Sequence, residues 1–530
     1  MPTLEWIGKD KVINHHQEVP FRVLERTYSF DESGQHEEDN GSENMIIRGD
    51  NLEALKALLP RYEGRVKCIY IDPPYNTGNE GWVYNDNVND PKIKKWLGEV
   101  VGKEGEDLTR HDKWLCMMYP RLKLLQKLLA DDGVIFISID EIEHRYLELV
   151  MDEIFGSANR IDTFVWQNNY GGGAKSNYVV HLHEYVLCFA KNISTVGKIE
   201  LPPDDNVLKY YKYKDEKFDT RGPYRLQPLA TTSMDDRPNL KYPLYHEEHE
   251  VWPAKQWLWS RERALEAQAN NELVFSEKNG KWTVNYKQYL NSADGTQRKS
   301  KPYSIITGIY TQAGTKAIKE IMGSGKAFDF PKPPELIMYF IQMITQENDI
   351  ILDSFAGSGT TAHAVLNMNK ADGGKRKFIL VEMMDYADSI TAERVKRVIG
   401  GYGEGKKAVE GTGGSFGFYE LGEPLLIGDC LNEAVGTEKI REYIWFTETK
   451  RPYAPPRGGN PYYLGQNNHT GYYFYYEPDR MTVLDYAFLS TITEKTDGAV
   501  IYADRCAISQ DKLVEMEIMF KKIPRDISRL

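Results

Sequence analysis

Cysteine is scarce in this chain and is never closely paired. The 530 residues hold five, Cys68, Cys116, Cys188, Cys430 and Cys506, with no C-x-x-C spacing among them. That pattern excludes the sequence signatures of a structural zinc site and of a disulfide framework, and it suits a reducing compartment. No metal is expected. Long apolar runs are missing as well. None approaches the roughly 18 residues of a membrane helix, and the polar N-terminus carries no leader-like apolar core. The expectation is a cytoplasmic protein with no membrane role. Positive charge is in deficit too, the formal net charge being −12. The deficit is uneven: residues 165–330 contain 23 Lys+Arg against 19 Asp+Glu, which makes the middle the electropositive part. Binding follows local charge, so a polyanionic partner stays open. Length and an ordinary mix of 41% hydrophobic and 27% charged residues predict two to four structural units.

Against these absences one motif stands out. An apolar run, Val66 to Ile71, ends in Asp72-Pro73-Pro74-Tyr75. Neither proline carries an N–H, and each fixes its own φ while pushing the preceding residue toward extended geometry. The result is a rigid, donor-poor corner at a strand end. It aims the Asp72 carboxylate and a backbone carbonyl at one point, with the Tyr75 ring over it. Two acceptors and a stacking face suit an amine attached to a flat heterocycle.

A second motif lies in Ile350-Ile351-Leu352-Asp353-Ser354-Phe355-Ala356-Gly357-Ser358-Gly359-Thr360-Thr361. An apolar strand ends in an acid, a Gly-x-Gly turn follows, and a helix starts near Thr361. Glycines let backbone approach a ligand closely, and the N–H groups opening the helix favour an anionic group. Some twenty residues on, Lys377 to Val381 reads as a strand ending in Glu382, an acid placed to accept from ribose hydroxyls. The third glycine of a dinucleotide fingerprint is absent, and no Gly-Lys-Ser/Thr follows, so a phosphate-gripping P-loop is excluded.

Around these motifs strands and helices alternate. Met45 to Asp50, Cys68 to Ile71 and Gly133 to Ile139 read as strands; Asn51 to Leu59, Trp114 to Leu129 and Glu143 to Ile154 read as helices. The alternation predicts an α/β fold with a doubly wound, mostly parallel sheet. Asn76 to Thr109, rich in Gly, Asn and Asp, is expected to form a mobile loop over the site. Between Val165 and Phe328 the pattern breaks into irregular aromatics and turns, including Gly171-Gly172-Gly173, Tyr210 to Lys214 and Trp252, Trp257 and Trp259. Aromatics interleaved with Lys and Arg can stack on bases and track phosphates; at least two of the tryptophans are expected to be core of a small domain instead. Ala317 to Met322 and Glu335 to Thr345 read as further helices, and a Tyr- and Pro-rich tail closes the chain.

Asp72-Pro73-Pro74-Tyr75 followed by Asp353-x-Phe355-x-Gly357-x-Gly359 resembles the DNA amino-methyltransferases that use S-adenosylmethionine, in the motif order of their β class. The longer matches Tyr70 to Gly78 and Phe330-Pro331-Lys332-Pro333 resemble the Mod (modification) subunits of type III restriction–modification systems. The resemblance covers about Asn44 to Leu421. It implies the S-adenosylmethionine-dependent methyltransferase fold in permuted order: an N-terminal arm (1–43), a catalytic half (44–164), an inserted target-recognition domain (165–327), a cofactor-binding half (328–405) and a C-terminal domain (406–530). Asp72, Pro73, Pro74 and Tyr75 would be catalytic. Asp353, Phe355, Ala356, Gly357, Gly359, Thr360 and Glu382 would hold the cofactor, with Lys332 meeting its carboxylate and Phe330 packing near its adenosine. Asp50 and Asn76 would line the target-base pocket. Arg221, Arg225, Arg237, Lys241, Arg261 and Arg263 would contact DNA. The implied reaction is methylation of the adenine N6 amine in duplex DNA after base flipping, by a homodimer that works with a separate Res subunit. Asp rather than Ser ahead of Pro-Pro-Tyr favours adenine over cytosine in that family. An orphan adenine or cytosine-N4 methyltransferase without a nuclease partner, a non-catalytic DNA-specificity subunit, and an enzyme acting on RNA or protein glutamine remain as alternatives.

Overall fold

The computed structural model describes residues 3–76, 110–171, 178–203, 205–428, 430–451 and 453–525. The expected loop at Asn76 to Thr109 lies, beyond Asn76, outside the described residues, as do Gly172 and Gly173. The main sheet comprises β1 (Arg22–Asp31), β2 (Gly34–His36), β3 (Met45–Arg48), β4 (Val66–Ile71), β5 (Leu129–Ile139), β6 (Arg160–Gln167), β7 (His183–Ala190), β8 (Ile305–Ile306), β9 (Ile350–Asp353), β10 (Lys377–Glu382) and β11 (Ser415–Pro424). Their order across the sheet is β8-β6-β7-β5-β4-β9-β10-β3-β11-β1-β2. From β5 through β11 every neighbouring pair is parallel; β7 and β1 run antiparallel to both of their neighbours. This is the expected α/β, mostly parallel architecture.

The strand sequences explain their places. β4 sits between two parallel partners and is apolar almost throughout, as a strand buried on both faces must be. Helices cover the faces: α1 (Asn51–Tyr62), α2 (Arg110–Leu128), α3 (His144–Phe155), α4 (Pro334–Ile344), α5 (Thr360–Asp372) and α6 (Glu393–Gly400). On α1, Leu52, Leu55, Leu58 and Leu59 are at most 3% exposed, each burial contributing roughly 1.5–3 kcal/mol.

The topology then fixes one special place. β4 and β9 are hydrogen-bonded neighbours, with Leu352 beside Ile69. The strand that follows β4 in the parallel array, β5, lies on one side of this pair; β10, which follows β9, lies on the other. The chain therefore leaves the two strands in opposite directions, and a crevice opens beyond their carboxyl ends, where ligands of such sheets bind. Asp72 and Asp353 both stand there.

Three expected borders move. The lead-in 1–43 contains β1, whose ten residues pair with β11, so much of it is sheet rather than a free arm. For the same reason the C-terminal part begins after Pro424, not at 406; beyond it Tyr463–Asn467, Thr470–Phe474, Gly498–Ala503 and Ile518–Lys522 form a separate four-stranded sheet. The middle insert is narrower than 165–327. Residues 199–302 form their own compact unit, whereas β7, β8 and the helix Thr311–Met322 belong with the main sheet. The unit holds an antiparallel sheet ordered Leu273–Lys278, Lys281–Tyr289, Tyr224–Pro228. Trp257 is in its core with Leu229, Leu244 and Val251, Trp259 packs against that core, and Trp252 is exposed.

Candidate active site

The corner after β4 is buried and tied down by groups from distant parts of the chain. Asp72 is 9% exposed, and Pro73, Tyr75 and Asn76 are buried with it. Trp114 Nε1 of α2 donates to the Pro74 carbonyl at 2.6 Å, which clamps the second proline. Lys332 Nζ lies 3.2 Å from Asp72 Oδ1 and 3.0 Å from Glu184 Oε2, and it donates to the Tyr75 hydroxyl at 2.6 Å. The Tyr75 hydroxyl in turn donates to Glu184 Oε2 at 3.0 Å. Glu184 also accepts from Asn168 Nδ2 at 2.9 Å. An ammonium thus sits between two carboxylates, over the Tyr75 ring at 4.7 Å.

The electrostatics follow from burial. Burial pushes the Asp72 carboxyl up, against the pull of Lys332. Burial alone would lower Lys332, but Asp72 and Glu184 outweigh it and hold the ammonium above the ordinary lysine value. Tyr75 is pushed well up by burial, so its phenol stays neutral. Asp72 Oδ1 is in ion-pair contact with the ammonium but receives no well-aligned hydrogen bond among the described residues. A buried acceptor without a well-aligned donor is costly and commonly marks a place that a ligand completes.

The loop after β9 is built differently, from its own backbone and hydroxyls. Asp353 accepts from Phe355 N at 3.0 Å and from Thr361 Oγ1 at 2.5 Å. Burial pushes its carboxyl up to about 7. Gly357 (φ 52°) and Gly359 (φ 79°) take the left-handed backbone that favours glycine. Glu382, ending β10, accepts from Gly357 N at 2.8 Å and from Met384 N at 3.0 Å. The fully buried Arg394 donates to Ser358 Oγ and Thr360 Oγ1, each at 2.7 Å, and Thr391 Oγ1 to the Gly357 carbonyl at 2.5 Å. Asn51 Nδ2 donates to the Ser354 carbonyl at 3.0 Å.

Corner and loop face one pocket. Tyr70, Asp72, Phe330, Lys332, Asp353, Phe355, Ala356, Gly357 and Thr360 all line it. Glu382 is not among the lining residues, but it accepts from the N–H of Gly357, which is. The sequence motifs, nearly three hundred residues apart, therefore meet.

Other expected placements differ. Lys332 is not poised over the loop as a carboxylate receptor, because its ammonium is drawn into the acidic corner. Asp50 caps α1, accepting from Leu52 N at 2.8 Å, and lies 3.4 Å from Arg121, which also donates to Asn51. It does not line the pocket. Asn76 (φ 59°) donates to Glu143 Oε1 at 2.5 Å and to the Arg110 carbonyl at 3.2 Å, away from the pocket. Of the residues expected to contact DNA, Arg221 is engaged within its own unit, donating to Glu272 at 2.6 Å over the Tyr289 ring. Arg225 Nε donates to Gln288 at 2.7 Å. Arg237, Lys241, Arg261 and Arg263 are exposed, Lys241 beside Asp236 and Arg263 over Trp259. The sequence reading missed Glu184, Thr361, Trp114 and Arg394. Glu184 had a signal: it is the one acid in the apolar strand His183–Ala190.

Comparison with known proteins agrees with this geometry. The family described as DNA methylase matches residues 66–445. The type II methyltransferase M.KpnI of Klebsiella pneumoniae is 36% identical over 65% of this chain and 81% of its own length. The type III StyLTI Mod subunit of Salmonella typhimurium is 31% identical over 74% of this chain, and the EcoPI Mod subunit of Escherichia phage P1 is 32% identical over 72%. The chain spans 62% and 63% of the length of those two Mod subunits.

Proposed function

The chain belongs to the DNA methylase family, and from that premise we propose that it methylates the exocyclic N6 amine of adenine in duplex DNA, using S-adenosylmethionine, as the modification subunit of a type III system. One observation carries the reading: a buried carboxylate oxygen without a well-aligned donor and a glycine loop share a pocket at the switch point of the sheet. The cofactor fits the residues present. The Gly357–Gly359 loop lets backbone approach it, Glu382 is the strand-end acid that would meet its ribose, and Phe330 and Phe355 give apolar walls. When bound, it supplies a methyl group already activated on a sulfonium.

An aromatic amine is a weak nucleophile because its lone pair is delocalised into the ring. Asp72 Oδ1 and the Pro73 carbonyl would accept its two N–H bonds and draw that lone pair back onto nitrogen. The rigid corner holds both acceptors before the substrate arrives, so positioning and electrostatics do the catalytic work. The base must leave the duplex to reach this depth. One face of the Tyr75 ring is covered by Lys332, so stacking would use the other. The compact unit 199–302, with exposed Arg237, Lys241, Arg261 and Arg263, would read the DNA. The names of the relatives support the Mod-subunit part of this reading; the homodimer and the separate Res partner are what the family resemblance implies. Among the described residues no helix is long and apolar enough to cross a membrane, and no cluster suits a metal ion.

The test is transfer of labelled methyl from S-adenosylmethionine to duplex DNA, with the modified nucleoside identified by mass spectrometry. Label should appear on adenine N6, and Asp72→Ala should reduce the rate at least ~10³-fold while cofactor binding persists. Label on cytosine N4 would move the target base; an Asp72→Ala variant as active as the parent would remove the corner from the chemistry.

A further inference from the structure

The acid–ammonium–acid cluster at the corner does more than fix Asp72. Counting Asp72 and Glu184 as carboxylates and Lys332 as ammonium, it carries one net negative charge, with Asp72 and Lys332 buried and Glu184 partly so. A lone buried charge is expensive unless something compensates it. We infer that Lys332 and Glu184 form, with Asp72, a proton-accepting cluster whose single negative charge is matched to the cofactor sulfonium before transfer and is discharged by the substrate proton after it. The inference rests on the methyltransferase reading above and adds Glu184 and Lys332 to its working residues.

The steps close in atoms and charge. The amine lone pair forms the N–C bond, and the C–S bond breaks with its electrons going to sulfur, leaving a neutral thioether. The nitrogen then carries the positive charge and loses one proton to Asp72 Oδ1. Cluster and sulfonium together are neutral before this sequence, and cluster and thioether are neutral after it. Without a proton-accepting cluster, loss of the sulfonium would strand a buried anion beside a cationic amine.

The geometry gives the proton an onward route. Lys332 can hand a proton to Glu184 Oε2 at 3.0 Å while it takes one from Asp72 at 3.2 Å. The Glu184 side chain is 17% exposed against 11% for Asp72 and 8% for Lys332, so it is the end nearest water. The other titratable groups around the cluster are engaged elsewhere. Asp353 is held by Thr361, Asp140 accepts from Ile142 N at 3.0 Å, Tyr70 exchanges a hydrogen bond with Ser138, and Tyr75 already donates to Glu184. Among Asp72, Glu184, Asp140 and Asp353, only Asp72 has a buried oxygen without a well-aligned donor.

Glu184→Gln tests this with little change in shape, because the amide oxygen can still accept from Tyr75 and Lys332. Binding of S-adenosylmethionine and of its demethylated thioether product would be measured by calorimetry near neutral pH in buffers of different ionisation heat. In the parent protein the neutral product should bind with uptake of a proton and the sulfonium without; Glu184→Gln should abolish the difference. The variant's kcat should fall about 10–100-fold with both KM values within about threefold, and the acidic limb of its pH profile should shift. Lys332→Met/Glu184→Gln restores a net charge of −1 and should recover most of that loss. An unchanged kcat in Glu184→Gln, equal damage in the single and double variants, or no linked proton uptake in the parent overturns the inference while methyl transfer by the parent stands. A parent that binds neither ligand overturns the methyltransferase reading and this inference with it.

Discussion

Asp72 and Asp353 end adjacent strands and face the same pocket, yet they are held in opposite ways. Asp353 is secured within nine residues, by the Phe355 amide and the Thr361 hydroxyl. Asp72 depends on Lys332 and, through it, on Glu184, which lie 260 and 112 positions further along the chain. The difference separates two kinds of site. A cradle for a bound cofactor can be folded locally and needs only correct backbone. A corner that handles a proton needs charge, and charge in a buried place has to be compensated from elsewhere in the fold.

The comparison can be broken at either end. The largest effect should come from Lys332→Met, which leaves two carboxylates facing each other in the core. Removing one partner of a buried ion pair costs about 3–5 kcal/mol, so chemical denaturation should show a loss of that order. Glu184→Gln on the same background should return part of it. A smaller effect belongs to the loop. At Gly359 a Cβ would stand 3.0 Å from the Thr391 carbonyl oxygen, on a backbone with φ of 79°. Gly359→Ala should cost roughly 1–2 kcal/mol in stability, and calorimetry should show weakened cofactor binding while the corner keeps its ion pairs.

The smallest effect is a pH dependence. The Asp353 carboxyl is raised in the folded state to about 7 by burial. The folded protein then binds a proton that the unfolded chain releases near pH 4, so the group's contribution is fully present below about pH 4 and is lost as pH rises through about 7. Asp72, also raised by burial, acts with the same sign. The cofactor-free protein should lose melting temperature between pH 6 and pH 8 in part through Asp353. Asp353→Asn should flatten that part of the slope; a slope unchanged in the variant would assign it to other groups.

How much of this was legible in the sequence follows from the same contrast. The run Val66 to Ile71, the Pro-Pro corner and the glycine turn are local signals, and strands, helix starts and their pairing into a parallel sheet followed from them. Asp50 reads as a strand-end acid in sequence, but a residue that precedes a helix is used first as its cap. Lys332 was expected to face the cofactor because it sits beside Phe330, yet two carboxylates attract an ammonium more strongly than chain proximity does. Glu184 comes from a strand inserted antiparallel beside β5, and nothing in its own neighbourhood announces Asp72. The basic residues of the 199–302 unit were marked by charge alone, and Arg221 turned out to serve its own unit's packing.

The pairing of β4 with β9 has a cost in time. Ile69 waits for Leu352, roughly 280 residues later, and at about 5–20 residues per second the ribosome takes on the order of tens of seconds to deliver it. Throughout that interval the nascent polypeptide carries an apolar strand with one side unsatisfied, a template for wrong partners. Shielding by chaperones during translation, rather than the intrinsic speed of helix or strand formation, should therefore set the yield of correctly assembled molecules.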